Sequence, residues 1–435
     1  MTPAIPMTPA IMMTKTKTDS REYPCSPGVF SFMEEIAYKV FFLQGHKNGA
    51  IYNLNSSDVF SINDIACKII RNALAHNPLS DSEKSYLSQL RDNKLWEDSF
   101  SPSNLLSQTT NIQESFDVVW LEITQTCNMR CIHCYEGCNH ISAPPNQRLK
   151  LAEWINLIDQ VAELGTKRVV VIGGEPTVDK NLKPILSYLS KKNLKTTLFT
   201  NASFDDEELI DIVSSCNIKV KFSIYGHTSA VHDAITRHPG SFSLLVQNIQ
   251  KLLAKGVSVS AAVVLMRENE VFKKNIEEFL ISLGVAHYKF DVIREVFSGT
   301  QSNHVPVLPE TIKIAKISEP YFVLTEERFL LFNDKNTCWN RKLVITETGT
   351  VLPCVFARNS IVGNVRDTTL KSFLESAALR YYWDFSFKNI VPCNECEFRY
   401  ACKDCRPLAM SLHGNIAEKN PRCCYDPITG EWQHE

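Results

Sequence analysis

The chain has 435 residues, 44% of them hydrophobic, and a formal net charge of −2. That length and apolar content suffice for a sizeable core and, by usual domain sizes, about three domains, and the near-neutral balance gives no electrostatic reason to expect nucleic acid or an anionic membrane as partner. No apolar run approaches the roughly 18 residues that span a bilayer, and the first residues lack the charged-then-apolar order of a secretion signal, so a cytoplasmic protein is expected.

Residues 1–20 repeat Met-Thr-Pro-Ala-Ile at positions 1 and 7 without a periodic apolar face, and are expected to form a disordered tail. A small module follows over 21–105, with strands predicted at Tyr38–Leu43 and Ala50–Leu54 and helices at Ile62–Ala75 and Ser80–Asn93. Ser80 and Glu83 read as a capping box for the second helix. From 116 to 310 strand and helix alternate. Strands are predicted at Asp117–Thr124, Lys167–Ile172, Lys195–Thr200, Lys219–Ile224, Ser258–Met266 and His287–Ile293, separated by helices near Leu149–Leu164, Lys180–Ser190, Asp205–Ser215, Ser241–Lys255 and Phe272–Leu283. This pattern predicts an α/β fold, a partial (β/α)6 TIM-like barrel rather than an open sheet. Such barrels bind ligands at the C-terminal strand ends. Cys127 follows the first strand, Glu175 the second and Asn201 the third, while Ser223 ends the fourth. Residues 311–435 form a linker and a cysteine-rich domain.

Fifteen cysteines, most in close clusters, argue for metal rather than disulfides in a reducing compartment. Cys25, Cys67, Cys138 and Cys216 fall outside the clusters and read as small, partly buried apolar residues. Cys127, Cys131 and Cys134 close a tight loop after the first strand. Zinc or an ordinary 4Fe-4S cluster would use a fourth protein thiolate, whereas three thiolates leave one iron open to a small molecule. After the second strand comes Gly173-Gly174-Glu175-Pro176. Two glycines clear side chains from the backbone, Glu175 offers a carboxylate to a cation and Pro176 sets the turn. The second field spaces Cys338, Gly349 and Cys354 as C-x10-G-x4-C, then Cys393, Cys396, Cys402 and Cys405 as C-x2-C-x5-C-x2-C, then Cys423 and Cys424. On spacing alone, these pairs fit a zinc ribbon as well as an iron-sulfur site.

The three-cysteine loop with the Gly-Gly-Glu-Pro turn resembles the radical S-adenosylmethionine (SAM) enzymes. The resemblance implies a 4Fe-4S cluster on Cys127, Cys131 and Cys134 whose open iron chelates SAM, with Gly173, Gly174, Glu175 and Pro176 meeting the SAM ammonium. It extends to Ser223-Ile-Tyr-Gly-His227 and to the stretch from His232 to Gly240, implying that Ser223 and Arg237 orient the SAM ribose and carboxylate; Arg237 as a surface partner of Asp233 is the plainer alternative. Asn201 joins the cofactor residues, and Val264 with Leu265 would flank the adenine. His133 stands where many relatives carry an aromatic residue. The C-terminal field is similar to the SPASM extension of radical SAM peptide maturases, with two residues, Lys403 and Asp404, where the family form has three. The similarity implies one auxiliary cluster on Cys393, Cys396, Cys402 and Cys423 and another on Cys338, Cys354 and Cys405. The latter has an iron left for substrate or closed by Cys424. Three 4Fe-4S clusters result.

The module at 21–105 resembles the winged-helix-like domain that holds the leader of a precursor peptide in such maturases. Seven Lys/Arg against nine Asp/Glu over residues 31–100 disfavour DNA there. A leader would add a strand to an exposed sheet edge. The resemblance therefore implies a cytoplasmic radical SAM maturase that installs a thioether, ether or carbon-carbon crosslink in a ribosomally made peptide, with a flavodoxin- or ferredoxin-type electron donor. The rivals are a maturase that oxidises or epimerises a residue, as sulfatase-activating enzymes do, and an iron-sulfur redox regulator binding DNA. No side chain stands out as a general base; Asp291 and Tyr288 are the candidates on the last strand.

Overall fold

The computed structural model describes residues 33–99, 115–137, 142–296, 302–317, 324–402 and 405–433. The 1–20 tail, Cys25, Cys138 and the Lys403-Asp404 pair lie outside them. The chain divides into two compact units, one built from residues up to 112 with 316–338 and 384–435, the other from 113–315 with 339–383.

In the first unit, strands β1 (Met33–Ala37), β2 (Val40–Gln44), β3 (Gly49–Asn53) and β4 (Asp58–Ile62) form an antiparallel meander in chain order. Helices α1 (Asp64–Leu74) and α2 (Asp81–Asp92) follow. The predicted order, strands and then two helices, is the observed one, and β1 and β4 are added at either side of the two predicted strands. Glu34 and Glu35 mask β1 by breaking its apolar pattern, and predicted helix residue Ile62 ends β4, because Asn63 caps α1 by accepting from Ala66 N. The capping box at Ser80 and Glu83 forms.

Both faces of this sheet are buried, which explains the unbroken apolar run Val40–Leu43. Phe42 and Ile51 pack with Ile69, Ile70 and Leu87 of the helices. On the opposite face Phe41 and Tyr52 pack with Phe329, Phe398 and Tyr400. The N-terminal module thus shares a core with the cysteine-rich C-terminal segment, to which Tyr52 also donates a hydrogen bond at the Glu397 carbonyl. Cys67 is 1% exposed in the first of these cores, in keeping with an apolar role.

The second unit is the partial barrel. Six parallel strands, β5 (Val118–Glu122), β6 (Arg168–Ile172), β7 (Thr196–Thr200), β8 (Lys219–Ile224), β9 (Val259–Leu265) and β10 (Tyr288–Val292), lie side by side in chain order. They alternate with α3 (Leu151–Glu163), α4 (Leu182–Lys191), α5 (Glu207–Ser215), α6 (Ser229–Thr236), α7 (Ser241–Ala254) and α8 (Lys273–Ser282). Alternate residues of β9 are buried, Val259, Ala261, Val263 and Leu265, so one strand face packs away while the other is open to a ligand. Three strands extend the sheet beyond β5: β11 (Lys342–Ile345), parallel to it, then β12 (Thr350–Leu352) and β13 (Gly363–Asn364), both antiparallel. They cover an edge that would otherwise present unpaired backbone groups. Among the described residues no helix is long and apolar enough to cross a membrane.

Candidate functional site

A cavity of about 240 Å³ opens at the C-terminal ends of the barrel strands, and Cys127, Cys131 and Cys134 all line it. The loop that carries them is held from several sides. Arg130 N and Ile132 N donate to the carbonyls of Thr236 and Ile235, both at 3.0 Å. Asn128 donates to the Ser203 carbonyl at 2.8 Å and accepts from Asn201 Nδ2 at 2.8 Å. Asn201 therefore ties the end of β7 to the cysteine loop while lining the cavity.

Gly173 and Gly174 line the cavity too, and the reason for glycine lies behind them. A Cβ on Gly173 would stand 2.3 Å from the Thr124 carbonyl oxygen, and one on Gly174 would stand 2.5 Å from those of Gln125 and Thr126. The close approach lets Gly174 N donate to Thr124 O and Glu175 N to Thr126 O, both at 2.8 Å. The Glu175 carboxylate is 1% exposed. It accepts from Thr200 Oγ1 at 2.6 Å, Asn201 N at 2.6 Å and Thr177 N at 3.1 Å. Burial raises its pKa, and these donors pull it back. Pro176 opens a 3-10 turn over Pro176–Val178.

Strand alternation sorts the remaining candidates. The penultimate residues of β8, β9 and β10, Ser223, Val264 and Asp291, line the cavity. Of the two residues expected to flank the adenine, Val264 lines the cavity, whereas Leu265 is fully buried and is not among the lining residues. His133 lines the cavity with Tyr225, their ring centroids 4.5 Å apart and edge-on. Burial pushes its pKa down to about 3, and its Nδ1 has no hydrogen-bond partner. Arg237 is not on the wall. It caps α6 in the left-handed region at φ 53° with an exposed side chain, while the carbonyls just before it brace the cysteine loop. Asp233, its supposed partner, instead accepts from Gly240 N, Ser241 Oγ and Phe242 N, all at 2.8 Å, at the start of α7. Asp291 pairs with Arg294 at 2.8 Å, and Arg294 also faces the cavity. Tyr288 turns its hydroxyl to Glu277 at 3.0 Å and does not line it.

Three further residues carry weight that no local pattern announces. Glu347, in the turn between β11 and β12, accepts from Gln125 N at 3.0 Å and Ala143 N at 2.6 Å. Arg358 makes a two-pronged bond to buried Glu122 at 2.5 and 2.8 Å and reaches Glu136, on the cavity wall, at 3.5 Å. Asn269, fully buried, donates to Tyr225 O at 2.9 Å and Val264 O at 3.0 Å, joining the ends of β8 and β9. Asn at a strand-to-helix turn was its only signal in the sequence. Asn269→Ala should cost about 2 kcal/mol, the penalty for buried carbonyls left without a donor; an unchanged urea midpoint would contradict that.

The first unit holds a second, smaller cavity lined by Cys393, Cys396, Cys402 and Cys423. Cys338 and Cys405 belong to the same unit, Cys354 to the other. Cys424 is buried, and its N–H donates to the Ile317 carbonyl at 3.0 Å. Among the described residues no three His, Cys, Asp or Glu side chains converge as on a single metal ion; the thiols line cavities. Burial pushes Cys127 up to about 12, with the nearby Glu175 carboxylate adding to the effect and the Met129 N–H opposing it. Iron would have to displace its proton, so loading is expected to tighten as pH rises.

Residues 121–279 match the radical SAM superfamily and residues 338–406 the SPASM iron-sulfur cluster-binding domain. The chain is a radical SAM/SPASM protein. The radical SAM domain implies SAM and a 4Fe-4S cluster, and the SPASM domain implies auxiliary clusters. The thiols in the two cavities, and in the larger the orphaned buried Nδ1 of His133, fit such groups. This radical SAM/SPASM protein is 24% identical over 344 residues to an AdoMet-dependent heme synthase of Oleidesulfovibrio alaskensis, covering 71% of this chain and 87% of that one. It is 23% identical over 301 residues to the subtilosin biosynthesis protein AlbA of Bacillus subtilis, covering 65% and 66%. Its fold is similar to that of Streptococcus suis SuiB solved with precursor peptide SuiA, with TM-score 0.53, 13% identity and coverage of 89% and 98%.

Proposed function

We propose that this chain is a maturase that installs a thioether, ether or carbon-carbon crosslink in a ribosomally made precursor peptide. The observation that carries the reading is the single cavity in which three thiols, the Gly173-Gly174 backbone, Asn201, Ser223 and Val264 meet at the barrel's strand ends. SAM and a cluster, if held there, would supply the radical chemistry for taking hydrogen from a substrate carbon. Cys127, Cys131 and Cys134 hold the iron. Because the Glu175 carboxylate is already committed to Thr200, Asn201 and Thr177, the turn offers its backbone carbonyls to the ammonium. Ser223 and Asn201 offer a hydroxyl and an amide to the ribose, and Val264 an apolar wall to the adenine. Cys393, Cys396, Cys402 and Cys423 hold one auxiliary cluster and Cys338, Cys354 and Cys405 another. Likeness to AlbA and to SuiB across most of the chain supports a peptide substrate, bound through its leader by the N-terminal module.

The heme synthase likeness favours a second reading, a tetrapyrrole substrate, and one experiment separates the two. The reconstituted chain, incubated anaerobically with SAM and dithionite, should form 5'-deoxyadenosine, and Cys131→Ala should form less than about a thousandth as much, since the cluster loses a ligand. Coexpression with a candidate precursor, any short peptide found encoded beside it, should remove a pair of hydrogens from that peptide, with tandem fragmentation placing a link between two residues. No 5'-deoxyadenosine would end every enzymatic reading; a modified peptide without a link would point to oxidation or epimerisation, and an unmodified peptide to a small-molecule substrate. Leader affinity is best measured on the full chain, because removing the module would strip Phe41 and Tyr52 from the core they share with Phe398 and Tyr400.

A further inference from the structure

Arg399 lines the smaller cavity together with Cys393, Cys396, Cys402 and Cys423, yet it is only 1% exposed. Its Nη1 donates to the Cys396 carbonyl at 2.8 Å, and the guanidinium lies 5.0 Å from the centroid of the Tyr400 ring. Its Nη2 is buried with no hydrogen-bond partner, and among the described residues it forms no ion pair. A guanidinium keeps its charge at any working pH; the buried Glu397 carboxylate feels that charge without forming an ion pair with it, and a buried charge so incompletely matched is costly. Four thiolates around an iron-sulfur cube carry net negative charge, and one unit more once the cube is reduced. That charge and that free N–H complement each other, since hydrogen bonds and charge at the sulfurs tune such clusters.

We infer that Arg399 is the counter-charge of the auxiliary cluster held by Cys393, Cys396, Cys402 and Cys423, donating its free N–H to a cluster sulfur and setting the potential at which that cluster takes up an electron. Its role is positional and electrostatic. The inference rests on the auxiliary-cluster reading above, so the test separates the two.

The full-length chain with Cys127, Cys131 and Cys134 all changed to Ala removes the SAM-binding cluster and leaves the auxiliary ones to be reconstituted with iron and sulfide under anaerobic conditions. Iron content and an EPR-monitored redox titration are then recorded, and the couple missing from a Cys393→Ala version is the one followed. Arg399→Gln should keep its iron while the reduced-to-oxidised ratio of that couple falls about tenfold at a fixed poise, equivalent to 59 mV for one electron. Arg399→Lys, which keeps the charge, should restore most of the ratio. An unmoved couple in Arg399→Gln overturns the inference. Should Arg399→Gln lose its iron, Arg399→Lys decides: retained iron with a near-normal couple supports the counter-charge, and lost iron marks a mere brace of the Cys396 carbonyl and overturns it. No iron dependent on Cys393 in the parent defeats the cluster reading itself, and the inference falls with it.

Discussion

Gly174→Ala, the addition of a single methyl group, is expected to destabilise the barrel unit by about 3 kcal/mol and to strip the iron from the first cluster. The added Cβ would sit 2.5 Å from two backbone carbonyl oxygens, those of Gln125 and Thr126. Neither is the end of a flexible side chain, so relief requires the segment after β5 to move away from the turn after β6. Overpacking of this kind costs about 1–3 kcal/mol. The movement would also stretch the hydrogen bonds from Gly174 N to Thr124 O and from Glu175 N to Thr126 O, at about 1 kcal/mol each. Cys127 lies one residue beyond Thr126, so the displacement reaches the thiols directly. Urea unfolding and iron analysis of the reconstituted variant check both parts. A wild-type midpoint together with full iron would show that the glycine is not required by this contact.

Arg358→Met should cost about 3–5 kcal/mol, the usual result of removing one partner from a buried ion pair. Arg358 faces Glu122 at 2.5 and 2.8 Å and Glu136 at 3.5 Å, and the Glu122 side chain is wholly buried. Without it two carboxylates would remain buried side by side. Burial, and then the Glu122 charge, already push Glu136 up from 4.5 to about 8. A carboxyl whose folded pKa is raised contributes stability that is fully present below its unfolded value and is lost as pH climbs to the folded one. The loss in Arg358→Met should therefore be larger at pH 8 than at pH 5, where Glu136 is protonated and the repulsion between the two carboxyl groups is relieved. Urea midpoints of wild type and variant, prepared alike at the two pH values, test this, and an equal gap at both would defeat the electrostatic account.

Much of the barrel is legible because its signals are local. Lys219–Ile224 is a strand as predicted, and the other predicted barrel strands overrun the observed ones by one or two residues at an end, since buried parallel strands read as continuous apolar runs. The strands the prediction lacks are of two kinds. β1 carries Glu34 and Glu35 and β4 carries Asp58 and Ser61, which break their apolar patterns, and β11 to β13 are four residues or fewer; the pairing of these last is decided by an edge waiting to be covered rather than by their own pattern. Leu265 shows the same limit at the scale of one side chain. Position along the strand was readable, but which of two neighbours faces the cavity depends on how the sheet is packed. Arg237 differs again: its motif was readable, yet the helix end that carries it turns the side chain outward and uses the adjoining carbonyls instead.

The sequence by itself determined the chemistry available to this protein, because cysteine spacing and a Gly-Gly turn are covenants between near neighbours in the chain. Only the tertiary structure decided what holds that chemistry in place. Glu347 and Arg358 reach the cysteine loop and its strand across more than 200 residues of chain, and the cavity of Arg399 and its four thiols draws on segments from Ile317 to Trp432. Such contacts are made by folding the chain back on itself, and the energy of a buried charge depends on what surrounds it in space, not on what precedes it in sequence.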